Sequence, residues 1–501
     1  MAWIIDLYGF AAVVLRGLIL ALEALTVGGV IFLTRPMRPE NPEALSRCRS
    51  LLRVFAFSLC GTAISSAALL TFVLSETTPN VDWRLTLGAS FVQAQALVAA
   101  TALAIGLRSR SDGWILRATA ALTLVGATLM TSHAYARLDD RALLLACTGA
   151  HHLAVSAWVG GLPYLFITIA RGGEDAALGA ARRFSKIAMA SVALLVISGF
   201  ALSTQYIGSW SGLYGTSYGI MLVAKIIMLG LMLALGGTNF LLLRGKAGLR
   251  AVARLAVRRS VEVEIAIGIT TILAAASMTS QPPAIDLSDG RVTATQIAER
   301  FTPHWPRLDT PSPQDDVGWS ESNHHWSGVF VFAMGVFALI ARTRWGKWAR
   351  NWPLVFLVLG AFLLIRADSE AWPLGERGFW ESFSSPDVMQ HRIFIALIAV
   401  FALFERRVAV GKSTRSWQPL IFPGICMLGG GLLFTHTHSL VNIREEMLAE
   451  MSHLPIAILG VVAAGARWLE IRLPKASAAM GLVWPACFVV IGVTLALYRE
   501  S

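Results

Sequence analysis

The sequence predicts an all-α fold: a polytopic helical membrane protein with about 14 transmembrane helices and both termini extracytoplasmic. Three observations carry that prediction. Of 501 residues, 55% are apolar and only 15% charged, with a mean hydropathy of +0.62, whereas soluble domains carry about 25% charged residues. The apolar residues gather in runs long enough to cross a hydrocarbon core of about 30 Å. Lys and Arg concentrate in alternate loops between those runs.

In chain order the runs lie near 7–34, 51–74, 86–107, 114–134, 142–170, 185–206, 218–243, 260–280, 326–341, 352–367, 390–404, 418–435, 454–467 and 480–498. The first lacks a basic leading segment and is too long for the apolar part of a signal peptide, so it stays as a span. The loops 35–53, 107–117, 171–186, 244–259, 342–350, 405–415 and 467–475 hold 29 of the 42 Lys and Arg. The opposite side holds 11, together with 21 of the 31 Asp and Glu. Excess Lys and Arg marks the cytoplasmic face, which puts both termini outside. The runs group into a membrane domain over 1–280, an extracytoplasmic linker over 281–323 and a C-terminal membrane domain over 324–501. The net charge of +11 therefore reports topology and gives no reason to expect nucleic acid.

Cys48, Cys60, Cys147, Cys426 and Cys487 stand singly, which supports neither a disulfide framework nor a thiolate metal site. The ten histidines are more informative. All of them (His133, His151, His152, His304, His324, His325, His391, His436, His438 and His453) fall in outer loops or the outer part of a span. His304, in the polar linker, reads as a plain loop residue. His151 should lie about 14 Å down its helix, where ionisable groups face protein, water or a ligand. His133 ends the preceding run, and the short turn after it makes the two helices antiparallel neighbours. Adjacent helical residues diverge by about 100°, so only one of His151 and His152 should join a site shared with His133.

A second cluster joins His391, His436, His438 and His453 from three consecutive runs at one face. His436 and His438 could chelate together only where the helix has unwound, because positions i and i+2 of a helix point apart. The stretch Asn442–His453 reads as a short amphipathic outer helix carrying Met447 and Met451 one turn apart; interface packing explains that pair as well as metal binding does. Imidazole and thioether without thiolate suit copper better than zinc. Asp368 and Glu370, directly after a span, and His324 with His325 are candidate uptake residues on the acidic outer face. Arg16, Glu23 and Lys225 lie inside spans. They either pair structurally or line a polar translocation path.

The run His151-His152-Leu153-Ala154-Val155-Ser156-Ala157-Trp158-Val159-Gly160-Gly161-Leu162 resembles the signature of the CopD (PcoD) family of copper-resistance membrane proteins. Arg182-Arg183-Phe184-Ser185, Ser198-Gly199, Tyr218-Gly219-Ile220-Met221-Leu222-Val223-Ala224-Lys225, Glu264 and Met278-Thr279-Ser280-Gln281-Pro282-Pro283 are similar to later family segments, over about 130–283. In the C-terminal half, 367–375, Gln390-His391-Arg392 and Thr435-His436-Thr437-His438 resemble the extension of long CopD-type proteins. The resemblance implies a non-enzymatic protein that takes copper from the periplasm across the bacterial inner membrane. It also implies a periplasmic CopC-like chaperone as a separate chain, since 281–323 is too short to hold such a domain. No Walker A motif or phosphorylated-pump signature is present, so transport would be passive, ion-coupled or partner-driven. The family is also grouped by fold with di-haem cytochromes. The alternative is therefore a b-type haem protein, with His133 and His151 or His152, and His391 and His436 or His453, as axial ligands.

Overall fold

A computed structural model describes residues 2–34, 37–78, 81, 83–111, 113–244, 250–287, 290–434, 443–473 and 477–500. Fourteen apolar helices follow one another: α1 (Tyr8–Phe32), α2 (Pro42–Thr77), α3 (Ser90–Leu107), α4 (Trp114–Leu129), α5 (Arg141–Arg171), α6 (Glu174–Ile207), α7 (Ser217–Arg244), α8 (Arg250–Ser280), α9 (Asp316–Ile340), α10 (Leu354–Arg366), α11 (Pro386–Ala409), α12 (Ile421–Leu433), α13 (Ile443–Arg472) and α14 (Ser477–Ala496). Among the described residues, 11 helices are long and apolar enough to cross a bilayer. α4, α10 and α12 are shorter apolar helices at the remaining expected positions. No β-strand is present among the described residues.

Several expected boundaries move. α4 stops at Leu129, and His133 opens a separate one-turn helix (His133–Ala136). The expected outer helix ending at His453 is instead continuous with the next span as α13, with Pro455 inside it. α9 begins at Asp316, so His324 and His325 sit in its third turn. The preceding linker holds a short helix, Ala294–Arg300, started by a Thr293/Gln296 capping box.

The chain divides into two compact units. One comprises 11–209 and 225–286. Its tightest crossing joins α1 to α5, where α5 loosens into a π-helical turn at Ser156–Gly160. A Cβ on Gly28 would strike the Ser156 carbonyl, and one on Gly160 the Ala24 carbonyl. Backbone meets backbone there, the use small residues serve between membrane helices. Tyr164 Oη locks the crossing by donating to Leu25 O at 3.0 Å.

The other unit comprises 1–10, 210–224 and 287–501. Gly328 and Gly335 on α9 and Gly492 on α14 let those two helices approach closely. Beside them Trp352, Phe356, Phe401, Phe422, Trp484 and Phe488 build an aromatic core. At one end of this unit, Arg467 bridges Glu405 and Glu470, and Glu470 also accepts from Arg342 and Trp484. His324 lies towards the other end, 16 positions before the α9 terminus at Ile340, about 24 Å.

Candidate metal sites

In the first unit α1 carries Glu23 among apolar residues, and its carboxylate is 2% exposed. His152 of α5 reaches it, with Nδ1 3.2 Å from Glu23 Oε1. A carboxylate only accepts, so Nδ1 carries the proton and Nε2 the lone pair. Carboxylate behind imidazole is the arrangement that orients and strengthens a metal-binding histidine. Glu23 Oε2 is buried with no hydrogen-bond partner among the described residues.

His151 turns elsewhere, as consecutive helical residues must. Its Nδ1 lies 3.2 Å from Ser198 Oγ of α6, and Ser198 donates its own proton to Leu194 O at 2.7 Å. Gly199 packs beside the ring, where a Cβ would stand in ordinary contact at 3.5 Å from His151 Cε1. The charge His151 feels most strongly is Lys225 of α7. A nearby cation disfavours a second one at His151. Glu23, His152, Ser198 and Lys225 lie about 12 to 22 Å from the ends Tyr8, Arg141, Ile207 and Ser217 of their helices.

Arg16, about two turns above Glu23, donates to the Thr131 hydroxyl and feels the Glu23 charge. His133 sits edge-on to Tyr206, ring centroids 6.3 Å apart, and bonds backbone at Thr279 and Gln281. Burial and the nearby Arg16 lower its pKa. Deeper in the unit, Asn239 of α7 donates to buried Glu264 of α8. The sequence reading gave that pair no role; a carboxylate and an amide inside apolar runs were the available signal.

In the second unit the rings of His324 (α9) and His453 (α13) lie 5.8 Å apart, and Tyr498 stacks on His324 at 4.0 Å. His391 Nδ1 meets Asp368 Oδ1 at 2.8 Å, joining a proposed ligand to a proposed uptake residue. Glu370 is instead largely exposed, near Arg377. His325 is buried between Arg307 N and Tyr498 O and holds structure. His304 approaches Glu321 at 3.5 Å. Met447 is buried in an apolar cluster with Ile220, Val292 and Leu448, and Met451 packs against it. Burial alone would raise the Glu500 carboxyl pKa, but Arg300, Ser320, His324 and Tyr498 outweigh it and hold the group below the usual range. His436 and His438 lie outside the described residues. Among the described residues no three His, Cys, Asp or Glu side chains converge to hold a metal.

Residues 178–278 match the family model described as Copper resistance protein D. This stretch is similar to CopD. It holds Ser198, Lys225, Asn239 and Glu264, and starts after His151 and His152. The chain is also 31% identical over 163 residues to the Copper transport protein CutJ of Bacillus subtilis (strain 168). That match covers 32% of this chain and 29% of the relative, so the chain spans under a third of the curated relative's length. No solved structure matches.

Proposed function

We propose that this chain is a copper-handling protein of the bacterial inner membrane, with fourteen spans and both termini outside. It takes copper from the periplasmic side, by way of a separate CopC-like chaperone, and passes it inward through the unit that carries most of the stretch similar to CopD. It performs no covalent chemistry. The observation that carries this reading is the Glu23–His152 pair, whose carboxylate is buried at a helix crossing and whose imidazole stands on the helix that precedes the stretch similar to CopD. A carboxylate in hydrocarbon is costly unless neutralised. A monovalent copper ion on His152 Nε2 would offset the Glu23 charge, and Arg16 supplies the resting countercharge. Outer-face acids concentrate the cation, and the Arg-rich loops opposite fix the direction of insertion. No observation favours the haem alternative.

The test is cellular copper content at matched expression. His152→Ala is expected to lower copper accumulation several-fold, whereas His304→Ala leaves it unchanged. Equal accumulation in both variants would remove the site.

A further inference from the structure

We propose that Glu264, held by Asn239 between α7 and α8, is a proton-binding site of the first unit, and that its proton is the coupling ion for the passage of the cation. The coupling rests on the transport reading above; the proton site does not.

Glu264 is 3% exposed and stands about 21 Å along α8 from Arg250, within the apolar span. A charge at that depth is costly unless paired. Its partner is a neutral amide, since Asn239 Nδ2 donates to Oε1. Among the described residues, that amide and burial are what act on Glu264, and no charge is among them. The charged groups of the helices packed on α8 face elsewhere. Arg16 and Glu23 of α1 and His151 and His152 of α5 make the contacts described above, and Arg171 meets Glu43. On α6 Arg182 donates to Leu243 O, and Arg183 and Lys186 are exposed. On α7 Lys225 is 14 positions from Asn239, about 21 Å, and Arg244 lies over Phe240. On α8 itself Arg254 donates to Ile169 O and Gly172 O, Arg258 lies over Phe166, and Arg259 pairs with Glu262.

Two orphaned atoms mark the proton. Asn239 Oδ1 and Ser260 Oγ are buried with no hydrogen-bond partner among the described residues. An ionised carboxyl only accepts and offers the amide oxygen nothing, whereas a protonated one has the O–H that this oxygen lacks. Turned over, the amide would present its oxygen to Glu264, and the contact would then require the proton outright. Ser260 lies one turn from Glu264 on the same face of α8, towards the Arg-rich end. Its hydroxyl both donates and accepts, as a relay for that proton needs.

α5 ties this site to the Glu23–His152 pair. A Cβ on Gly268, one turn from Glu264, would stand 2.5 Å from Val159 Cγ1. Val159 belongs to the π-helical turn that follows His152, so a shift of that turn when His152 is loaded presses on α8 beside Glu264.

Infrared difference spectroscopy on the full-length protein in detergent at neutral pH tests the proton site. Wild type should show a protonated-carboxyl carbonyl band that Glu264→Gln lacks and Asn239→Ala shifts. A band unchanged by these substitutions overturns the site, and either variant decides if the other fails to fold. For the coupling, Ag(I) uptake into liposomes holding the wild-type protein should change several-fold when a pH gradient is imposed, and in Glu264→Gln it should be indifferent to the gradient. A gradient without effect on wild type, or with the same effect on both, overturns the coupling. Wild-type protein that moves no Ag(I) under any gradient refutes transport and coupling together, and the infrared band still decides the site.

Discussion

Glu23 on α1 and His152 on α5 meet at 3.2 Å although 129 positions separate them in the chain. Removing one therefore alters the chemistry of its partner directly. Replacing a carboxylate behind a metal-binding imidazole typically costs 10- to 100-fold in affinity, by roughly the experience of other metal sites. Glu23→Gln should therefore weaken copper binding about 10-fold or more while leaving the fold intact, because the amide still accepts from Nδ1. Competition against a chromophoric Cu(I) chelator measures the change. Wild-type affinity in the variant would show that the carboxylate is structural.

The crossing that produces this pair is intolerant of bulk. A methyl at position 160 would strike the Ala24 carbonyl, one residue from Glu23. Gly160→Ala should lower stability by about 1–3 kcal/mol or more, the usual cost of overpacking, and should reduce copper binding with it. Gly126→Ala is the control, since no atom lies within 4 Å of a Cβ there. Thermal unfolding in detergent should separate the two variants, and equal melting temperatures would dismiss the crossing as a constraint.

How far the sequence foresaw these sites depended on the range of the interaction. Apolar runs are local, so the helices fall where composition put them. α4 ends at Leu129, short of the expected 134, where Met130, Thr131 and Ser132 turn the chain ahead of His133. The divergence of His151 and His152 follows from helix geometry alone, whereas the partner of each depends on how α1 and α6 cross α5. The same logic separated His324 from His325. Read as a pair, they turn about 100° apart, one towards His453 and the other towards Tyr498 O. The π-helical turn left no mark in the pattern, because glycines at 28 and 160 act only when brought together.

Acidification should loosen the segment around Tyr498 and Glu500. Against the opposing effect of burial, Arg300, Ser320, His324 and Tyr498 hold the Glu500 carboxyl below its usual range. The unfolded chain then binds the proton more readily than the folded one, so stability rises with pH through the carboxylate range. The contribution is present above the unfolded carboxyl's pKa and is lost as the pH falls through the folded value. Melting temperature measured between pH 7 and pH 3 should fall less in Glu500→Gln than in wild type. Parallel curves would mean that the carboxylate contributes nothing.

Glu405 and Arg467 are buried together, their side chains 1% and 11% exposed. Removing one partner of such a pair strands the other charge, at a cost of about 3–5 kcal/mol. Glu405→Ala should be severely destabilised, and Glu405→Ala/Arg467→Met should recover part of the loss. Glu470 would still accept from Arg342 and Trp484 in the double variant. Fluorescence-detected gel filtration after a heating series would show the order. A double variant no better than the single would place the cost elsewhere.

Orientation supplies the last prediction. Ser312 and Lys347 are exposed at opposite ends of α9, whose 25 residues span about 37 Å. The Arg- and Lys-rich loop that contains Lys347 belongs inside by the charge rule, and the histidine-bearing end with Ser312 belongs outside. Cys48 and Cys487 are buried; Cys60, Cys147 and Cys426 are partly exposed and must be replaced before labelling. In that background Ser312→Cys should react with an impermeant maleimide added to intact spheroplasts, and Lys347→Cys only after lysis. The reverse pattern would put every histidine pair on the cytoplasmic side. Copper would then be met after crossing the membrane, and the direction proposed for transport would have to be inverted.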